Sequence, residues 1–451
     1  MGGTSLDRVV PRDGVALPHA VLLLLAAIAA AVVAQGGYYL PGRLLAGVLV
    51  AAALVLALRD RPALEPLSVT CAALAAWAVL RAALDGAVAE SLPTVAAIGC
   101  LAATAFAARR ADARQRELAA SALVGVGVLV ALTGWAAVVW RIPSWSVVAD
   151  GLARAASTLT YPNAAAALLA ALAALALALH QGSLPHAGAS YALLVGLGAT
   201  LSRAGLLALL VGLVALSVLN GVRRTLRQAG PPVVGALIAL GTLAPSFPTA
   251  EPAQPVLAVA GLVVGLAVTL VLHRVKPVFR LIAFAVTVLV PLLVLDVGRL
   301  LEGRISTSSP DRTGATGAAL EQVAARPLAG VGPGRGWFVF TAPTGEHRVM
   351  RYVHNEYLQV LVELGAIGLG LVLLVLVAVA VAVRRGRAGS LWAGAAAALV
   401  VLLVHSGFDF LWHLPVIVVT AGLLVGLASP PAPEPAAATV AESVPTAEEN
   451  T

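Results

Sequence analysis

The chain has 451 residues, of which 60% are hydrophobic and 11% charged, and a formal net charge of +7. Soluble domains carry about a quarter charged residues, so this composition, with a mean hydropathy of +0.95, excludes a soluble globular fold and points to an integral membrane protein. Two cysteines, Cys71 and Cys100, give no disulfide framework, and the Arg residues fall in short loops without interleaved aromatics, which argues against nucleic acid and for orientation in an anionic membrane.

Along the chain, residues 1–16 are short and polar and read as a cytoplasmic N-terminal segment. Apolar stretches of bilayer length then recur from Leu17 to Leu427, about fourteen in all. The expected fold is all-α, a polytopic transmembrane helical bundle of about 12–14 spans, filling 17–428 as one domain. The first stretch, Leu17 to Gln35, leads straight into a second span and reads as a retained signal anchor. Both cysteines fall within spans as small apolar fillers.

Orientation follows from the basic loops. Arg59/Arg61, Arg109/Arg110/Arg114/Arg116, Arg223/Arg224/Arg227, Arg274/Lys276/Arg280 and Arg384/Arg385/Arg387 occupy alternate short loops. These loops, and both termini, are expected on the cytoplasmic side. The loops around 142–160, Ser202, 245–255, 298–353 and 406–412 then face outward, and 298–353 is one large extracytoplasmic loop.

That loop keeps Arg299, Arg304, Arg312, Arg326, Arg335, Arg348 and Arg351 against the positive-inside trend. Guanidinium groups facing outward suit either an anionic ligand such as phosphate or outer-leaflet headgroups. Gly330 to Gly336 adds a glycine-rich turn able to fold the loop back over the membrane surface, without the Gly-Lys-Ser/Thr ending of a Walker loop.

The next span is polar at its entrance. For a helix starting near Asn355, residues Glu356, Gln359 and Glu363 lie within about 60° of each other and form an inward stripe. Glu363 falls roughly 11 to 12 Å into the membrane, where an Arg partner or a hydrated cavity is required. His354 stands at the mouth, where imidazole works as a base near neutral pH. His354, His405 and His413 form no compact metal-ligand motif.

His354-Asn355, nine residues, Gly365, two residues and Gly368 resemble the His-Asn, x9, Gly-x-x-Gly pattern of the bacterial O-antigen ligase and polymerase superfamily. Arg154 with Tyr161-Pro162-Asn163-Ala164 is similar to the signature of its actinobacterial-type members. Ser202-Arg203-Ala204-Gly205 and His405-Ser406-Gly407-Phe408-Asp409-Phe410 resemble two further segments, and all four occur in the family order. The resemblance covers 154–427.

The resemblance implies a metal-independent, inverting glycosyltransferase of cell-envelope polysaccharide or lipopolysaccharide biosynthesis. Its donor would be a glycan on undecaprenyl diphosphate, used at the outer face of the cytoplasmic membrane without a cofactor. The acceptor would be a glycan, lipid or protein, and a polysaccharide flippase or chain-length regulator would be a partner. His354 would be the catalytic base, and Arg203, Arg312 and, ranked below them, Arg304 would hold the diphosphate. Asn355, Glu363, Asn163, Arg154, His405 and Asp409 would support them. His405 and Asp409, four residues apart, could also brace each other, Asn163 could cap a helix, and Arg203 could anchor an interface.

Two other classes remain open. A transporter or flippase for anionic or lipid-linked solutes would use the same Arg residues and Glu363 without chemistry, but no internal repeat is visible. A peptidoglycan polymerase of the shape and elongation class is nearer in kind, though the His-Asn helix is not its hallmark. Residues 429–451, rich in Pro, Ala and Glu, read as a disordered cytoplasmic tail.

Overall fold

The computed structural model describes residues 17–58, 65–180, 182–294, 310–342, 344–387 and 389–431. Arg59, Arg61, Arg299 and Arg304 lie outside them, as do residues 1–16 and nearly all of the C-terminal tail.

The described residues form a helical bundle. In chain order its helices are α1 (His19–Val33), α2 (Leu40–Ala57), α3 (Pro66–Leu84), α4 (Leu92–Ala108), α5 (Ala113–Val139), α6 (Pro162–Leu179), α7 (Leu184–Ala199), α8 (Arg203–Asn220), α9 (Val222–Leu243), α10 (Pro255–Arg274), α11 (Pro277–Val294), α12 (Pro310–Ala325), α13 (Glu356–Arg385), α14 (Gly389–Ser406) and α15 (Pro415–Ala428). Ten helical stretches are long and apolar enough to cross a membrane, and three shorter apolar helices join them. This is a multi-pass membrane protein.

Proline in the first turn starts α2, α3, α4, α6, α7, α10 and α15, where its missing N–H costs nothing. Asp112 and Gln115 close a capping box on α5. The centre is α6, built almost wholly of Ala and Leu and buried on every side by α5, α7, α8 and α14. Small residues let these helices approach: Gly196 faces Ala131, and Gly394 faces Ala178.

The basic clusters among the described residues gather at one end. There Arg109 pairs with Glu65 and donates to the Pro430 carbonyl, Arg116 reaches the Ser429 carbonyl at 2.6 Å, and Arg280 reaches that of Arg227 at 3.3 Å. The polar motifs gather at the opposite end, called here the site end.

Two hairpins there depart from a purely helical expectation. β1 (Ser146–Ala149) pairs with β2 (Leu152–Ala155) through an Asp150-Gly151 turn whose φ angles, 51° and 71°, are both positive, as a tight hairpin requires. β3 (Phe338–Thr341) pairs with β4 (His347–Met350). This second hairpin packs Phe338 against Ala315 and Ala319 of α12 and Val362 of α13, a small core separate from the main one.

α13 is broken at Gly365 (φ 68°, ψ −172°). Segment 327–332 inserts at the break: Ala366 N–H donates to the Pro327 carbonyl, and Val331 and Gly332 donate to those of Val362 and Glu363. A Cβ at Gly365 would collide with the Leu328 carbonyl. Trp77 of α3 donates to the Leu364 carbonyl at 2.9 Å, and buried Arg81 donates to those of Ala329 and Gly330. Irregular backbone at this depth is thus satisfied by protein, as a membrane interior demands. The glycine-rich turn folds back into the bundle rather than over its surface.

Candidate functional site

Three helices that carry motif residues begin alike. Thr160 (φ 58°), Leu201 (φ 53°) and His354 (φ 55°) each adopt the left-handed region two residues before the first residue of α6, α8 and α13. A non-glycine residue there is strained and must be held by its surroundings. Asn355 then caps α13, its side chain accepting from Leu358 N–H at 3.1 Å, and Ser202 caps α8 by accepting from Gly205 N–H at 3.2 Å. Asn355 therefore acts on the helix that aims its neighbour, not on the centre of the cluster.

That centre is Asp409, fully buried in the loop after α14. His354 Nδ1 lies 3.0 Å from its Oδ1, Tyr161 donates its hydroxyl at 2.6 Å, and Asn163 Nδ2 donates to Oδ2 at 2.6 Å. Phe410 N–H donates to Oδ1 at 2.9 Å. Burial pushes this carboxyl up, but the His354 pairing and the Tyr161 and Phe410 donors outweigh it and hold Asp409 below the usual carboxylate range. Burial first, and then the Asp409 charge, raise the Tyr161 phenol well above its ordinary value, so it stays a donor.

An ionised carboxylate only accepts, so Nδ1 of His354 carries the ring proton. Nε2 is left as the basic nitrogen, with no partner among the described residues. The His354 side chain is 18% exposed while Asp409 shows nothing to solvent, so only the imidazole can meet a substrate.

Asn163 occupies the second position of α6 rather than its cap. Arg154 on β2 donates to its Oδ1 at 3.1 Å and to the Thr200 carbonyl, at the end of α7, at 3.0 Å. Arg154 thereby turns the Asn163 amide so that its N–H group faces Asp409. Arg312, in the first turn of α12, approaches from the other side: Nη2 lies 3.9 Å from Asp409 Oδ2, and Nη1 donates to the Phe408 carbonyl at 3.3 Å. It is anchored by Asp311, which pairs with Arg348 of β4. Its side chain remains 40% exposed. Arg203 begins α8 with an exposed side chain, three residues beyond Thr200.

One expectation is corrected. His405 does not brace Asp409 through a hydrogen bond: it is fully buried, neither ring nitrogen has a hydrogen-bond partner among the described residues, and Asp409 is already saturated by Tyr161, Asn163 and His354. Glu363, expected to have an Arg partner or a hydrated cavity, forms no Arg ion pair among the described residues and lines two cavities beside α13. Its oxygens accept from Gln359 Nε2 at 2.7 Å and from Gly334 N–H at 2.8 Å, supplied by the inserted loop. Glu356, Gln359 and Glu363 are all buried, as the stripe predicts. Among the described residues, no three His, Cys, Asp or Glu side chains converge as metal ligands.

Sequence reasoning missed the Tyr161 contact, the Trp77 bond to α13 at the break, and the Arg81–Asp85 pair, in which Arg81 holds the inserted loop and Asp85 also pairs with Arg335. Tyr161 was visible only as part of a motif. It also stacks on Phe410 at 5.1 Å, and Phe410 stacks on Tyr352 at 4.4 Å, forming an aromatic wall beside His354.

Residues 255–373 match the model of a family described as O-antigen ligase. That segment holds Arg312, His354, Asn355 and Gly365; Arg154, Tyr161, Asn163, Arg203 and Asp409 come to the same end from outside it. No curated protein matches the chain. The match, on a multi-pass helical bundle with the motif residues gathered at one end, supports membership of this chain in the O-antigen ligase and polymerase superfamily and, in general terms, a glycan-transfer function.

Proposed function

We propose that the protein transfers or polymerises glycan from an undecaprenyl-diphosphate-linked donor at the outer face of the cytoplasmic membrane. The observation that carries this reading is the His354–Asp409 pair, which fixes the tautomer and leaves Nε2 as the basic nitrogen of a side chain that is 18% exposed. In the reaction, an acceptor hydroxyl attacks the anomeric carbon as its proton passes to Nε2. The bond from that carbon to the diphosphate oxygen breaks, configuration inverts, and undecaprenyl diphosphate leaves. Asp409 stabilises the imidazolium as it forms.

Charge grows on the departing diphosphate, where fixed guanidinium groups are worth most. Arg312 and Arg203 take this role; Arg304 joins them as a proposal from its sequence position alone. Arg154, Asn163 and Tyr161 hold Asp409, and Asn355 and Glu363 hold α13 and the inserted loop. The basic end of the bundle supports a cytoplasmic placement of that end by the positive-inside trend, and with it an outward-facing site.

The test is His354→Ala in the native host at normal membrane abundance, reading surface glycan and lipid-linked precursor together. Loss of glycan with precursor exposed on the outer leaflet is expected. Precursor trapped on the inner leaflet would favour a flippase, and no change in either would make His354 structural.

A further inference from the structure

Three spans share a level at their basic end. Arg109, just after α4, pairs with Glu65 before α3 and donates to the Pro430 carbonyl beyond α15, while Gly386 after α13 lies against the Ala428 carbonyl. Glu65, Arg109 and Arg385 therefore mark one boundary of the hydrocarbon core. A core of roughly 30 Å takes about 20 residues of helix. Counted from those three residues, the opposite boundary falls near Asp85 at the end of α3, Ala89 before α4 and Gly365 in α13.

These three positions meet around one loop. Arg335 pairs with both Asp85 and Glu90, and the Leu328 carbonyl sits against Gly365. A cavity of about 120 Å³ joins Arg351 to Pro93 and Thr94 in the first turn of α4 and to Glu363 of α13. Both ends of the β3–β4 hairpin, at Trp337 and Arg351, are thus tied to the headgroup level.

The hairpin has two unlike faces, because successive side chains of a strand alternate. Phe338 and Phe340 turn towards α12, meeting Ala315 and Gly314, and on the same side Arg348 pairs with Asp311. Trp337, Val339 and Val349 turn away from α12 and are 51%, 61% and 61% exposed. Val339 and Val349 are direct partners across the strands, so the apolar surface is continuous. Arg351 lies over the Trp337 ring at 5.7 Å. The polar residues Thr344, Glu346 and His347 are exposed at the far tip.

A Trp ring carrying a guanidinium, beside a pair of valines, suits the boundary between acyl chains and headgroups, where aromatic rings collect and Arg reaches outward to phosphate. The surface also runs on into the spans. Exposed Leu328 stands at the break in α13, its carbonyl accepting from the N–H of Ile367, which is itself exposed on the face of that span.

We propose that the Trp337, Val339, Val349 and Arg351 face of the hairpin docks on the lipid surface of the leaflet at the site end. Its apolar side chains enter the headgroup boundary and Arg351 meets lipid phosphate. Through Phe338 and Arg348 this anchor holds α12, and with it the turn that carries Arg312, at a fixed height over the membrane. The contact stands whether or not the protein transfers glycan.

The test is spin-label accessibility in full-length protein held in nanodiscs of phosphatidylethanolamine and phosphatidylglycerol. With Cys71→Ala and Cys100→Ala as background, labels are placed by Val339→Cys and Val349→Cys, by Glu346→Cys at the tip as a water control, and by Val377→Cys on the exposed face of α13 as a lipid control. Labels at 339 and 349 should be several-fold less accessible to a water-soluble nickel chelate than the label at 346, while remaining open to oxygen as at 377. A second measurement needs no cysteine. The fluorescence difference between wild type and Trp337→Phe should be quenched by lipids brominated near the top of the acyl chain, and the combined Val339→Asp and Val349→Asp changes should raise its quenching by acrylamide several-fold. Thermal unfolding checks each variant, and the tryptophan measurement decides if the cysteine-free protein does not fold. Labels at 339 and 349 as open to the nickel chelate as at 346, or a Trp337 signal that brominated lipid leaves untouched, would overturn the proposal. Labels closed to both nickel and oxygen would overturn it too, because a protein surface, such as a second copy of the chain, would then cover the face.

Discussion

His354 and Asp409 stand 55 residues apart in the chain, yet Nδ1 of one lies 3.0 Å from Oδ1 of the other. Asp409→Asn keeps the shape but turns an obligate acceptor into a group that can donate, so the imidazole loses its fixed tautomer. Glycan transfer should fall roughly 10²- to 10⁴-fold with membrane abundance unchanged. An in vitro transfer assay on purified protein checks this, and near-normal turnover would remove Asp409 from the account.

Arg312 reaches the Phe408 carbonyl at 3.3 Å and keeps a side chain that is 40% exposed. Arg312→Lys retains charge but loses bidentate geometry, so transfer should drop about tenfold or more without a change in thermal unfolding. The drop should appear in kcat/KM for the lipid-linked donor. A variant with the wild-type constant would make Arg312 a surface residue.

Gly365→Ala combines a positive φ with a collision against the Leu328 carbonyl. The inserted segment 327–332 must then leave the break in α13, stranding the Arg81 donors. A loss of more than about 2 kcal/mol is expected, seen as a lower Tm in detergent and faster proteolysis near residue 330. Gly370→Ala, with open space at its Cβ, serves as the control and should behave as wild type.

The spans were legible because bilayer length and apolar runs are local properties of the chain. His354 and Asn355 stood out because polar residues beside a span are rare, whereas Arg312 was singled out among the loop Arg residues only by the family resemblance. The convergence on Asp409 was not, since Tyr161 and Asn163 reach it across 248 and 246 residues and no periodicity encodes such a pairing. Nor was the break at Gly365, because apolar residues continue past it in helical rhythm. Glu363 was expected to meet an Arg or a hydrated cavity; its Gly334 N–H partner comes from a loop 29 residues away, which no helical periodicity encodes. The Asp150-Gly151 pair did advertise the first hairpin, but a membrane composition drew attention to helices.

At the opposite end His180 is buried against His273, with His186 and Arg280 nearby and its Nδ1 facing the Gln228 carbonyl. Burial first, then the His273 ring, bring it from 6.5 to about 4. The unfolded chain takes up this proton first, so the stability it contributes is complete above pH 6.5 and is lost as pH falls towards 4. Thermal unfolding should show Tm falling across that window, and His180→Gln should flatten the slope. An equal slope in the variant would assign the acid sensitivity elsewhere.

The central claim is tested most directly by reconstitution. Purified protein in liposomes, given a glycan on undecaprenyl diphosphate and an acceptor, should join the two and release undecaprenyl diphosphate. His354→Ala should bind donor and do neither. Transfer retained in His354→Ala, or a wild-type protein that only moves the donor across the bilayer, would contradict the account.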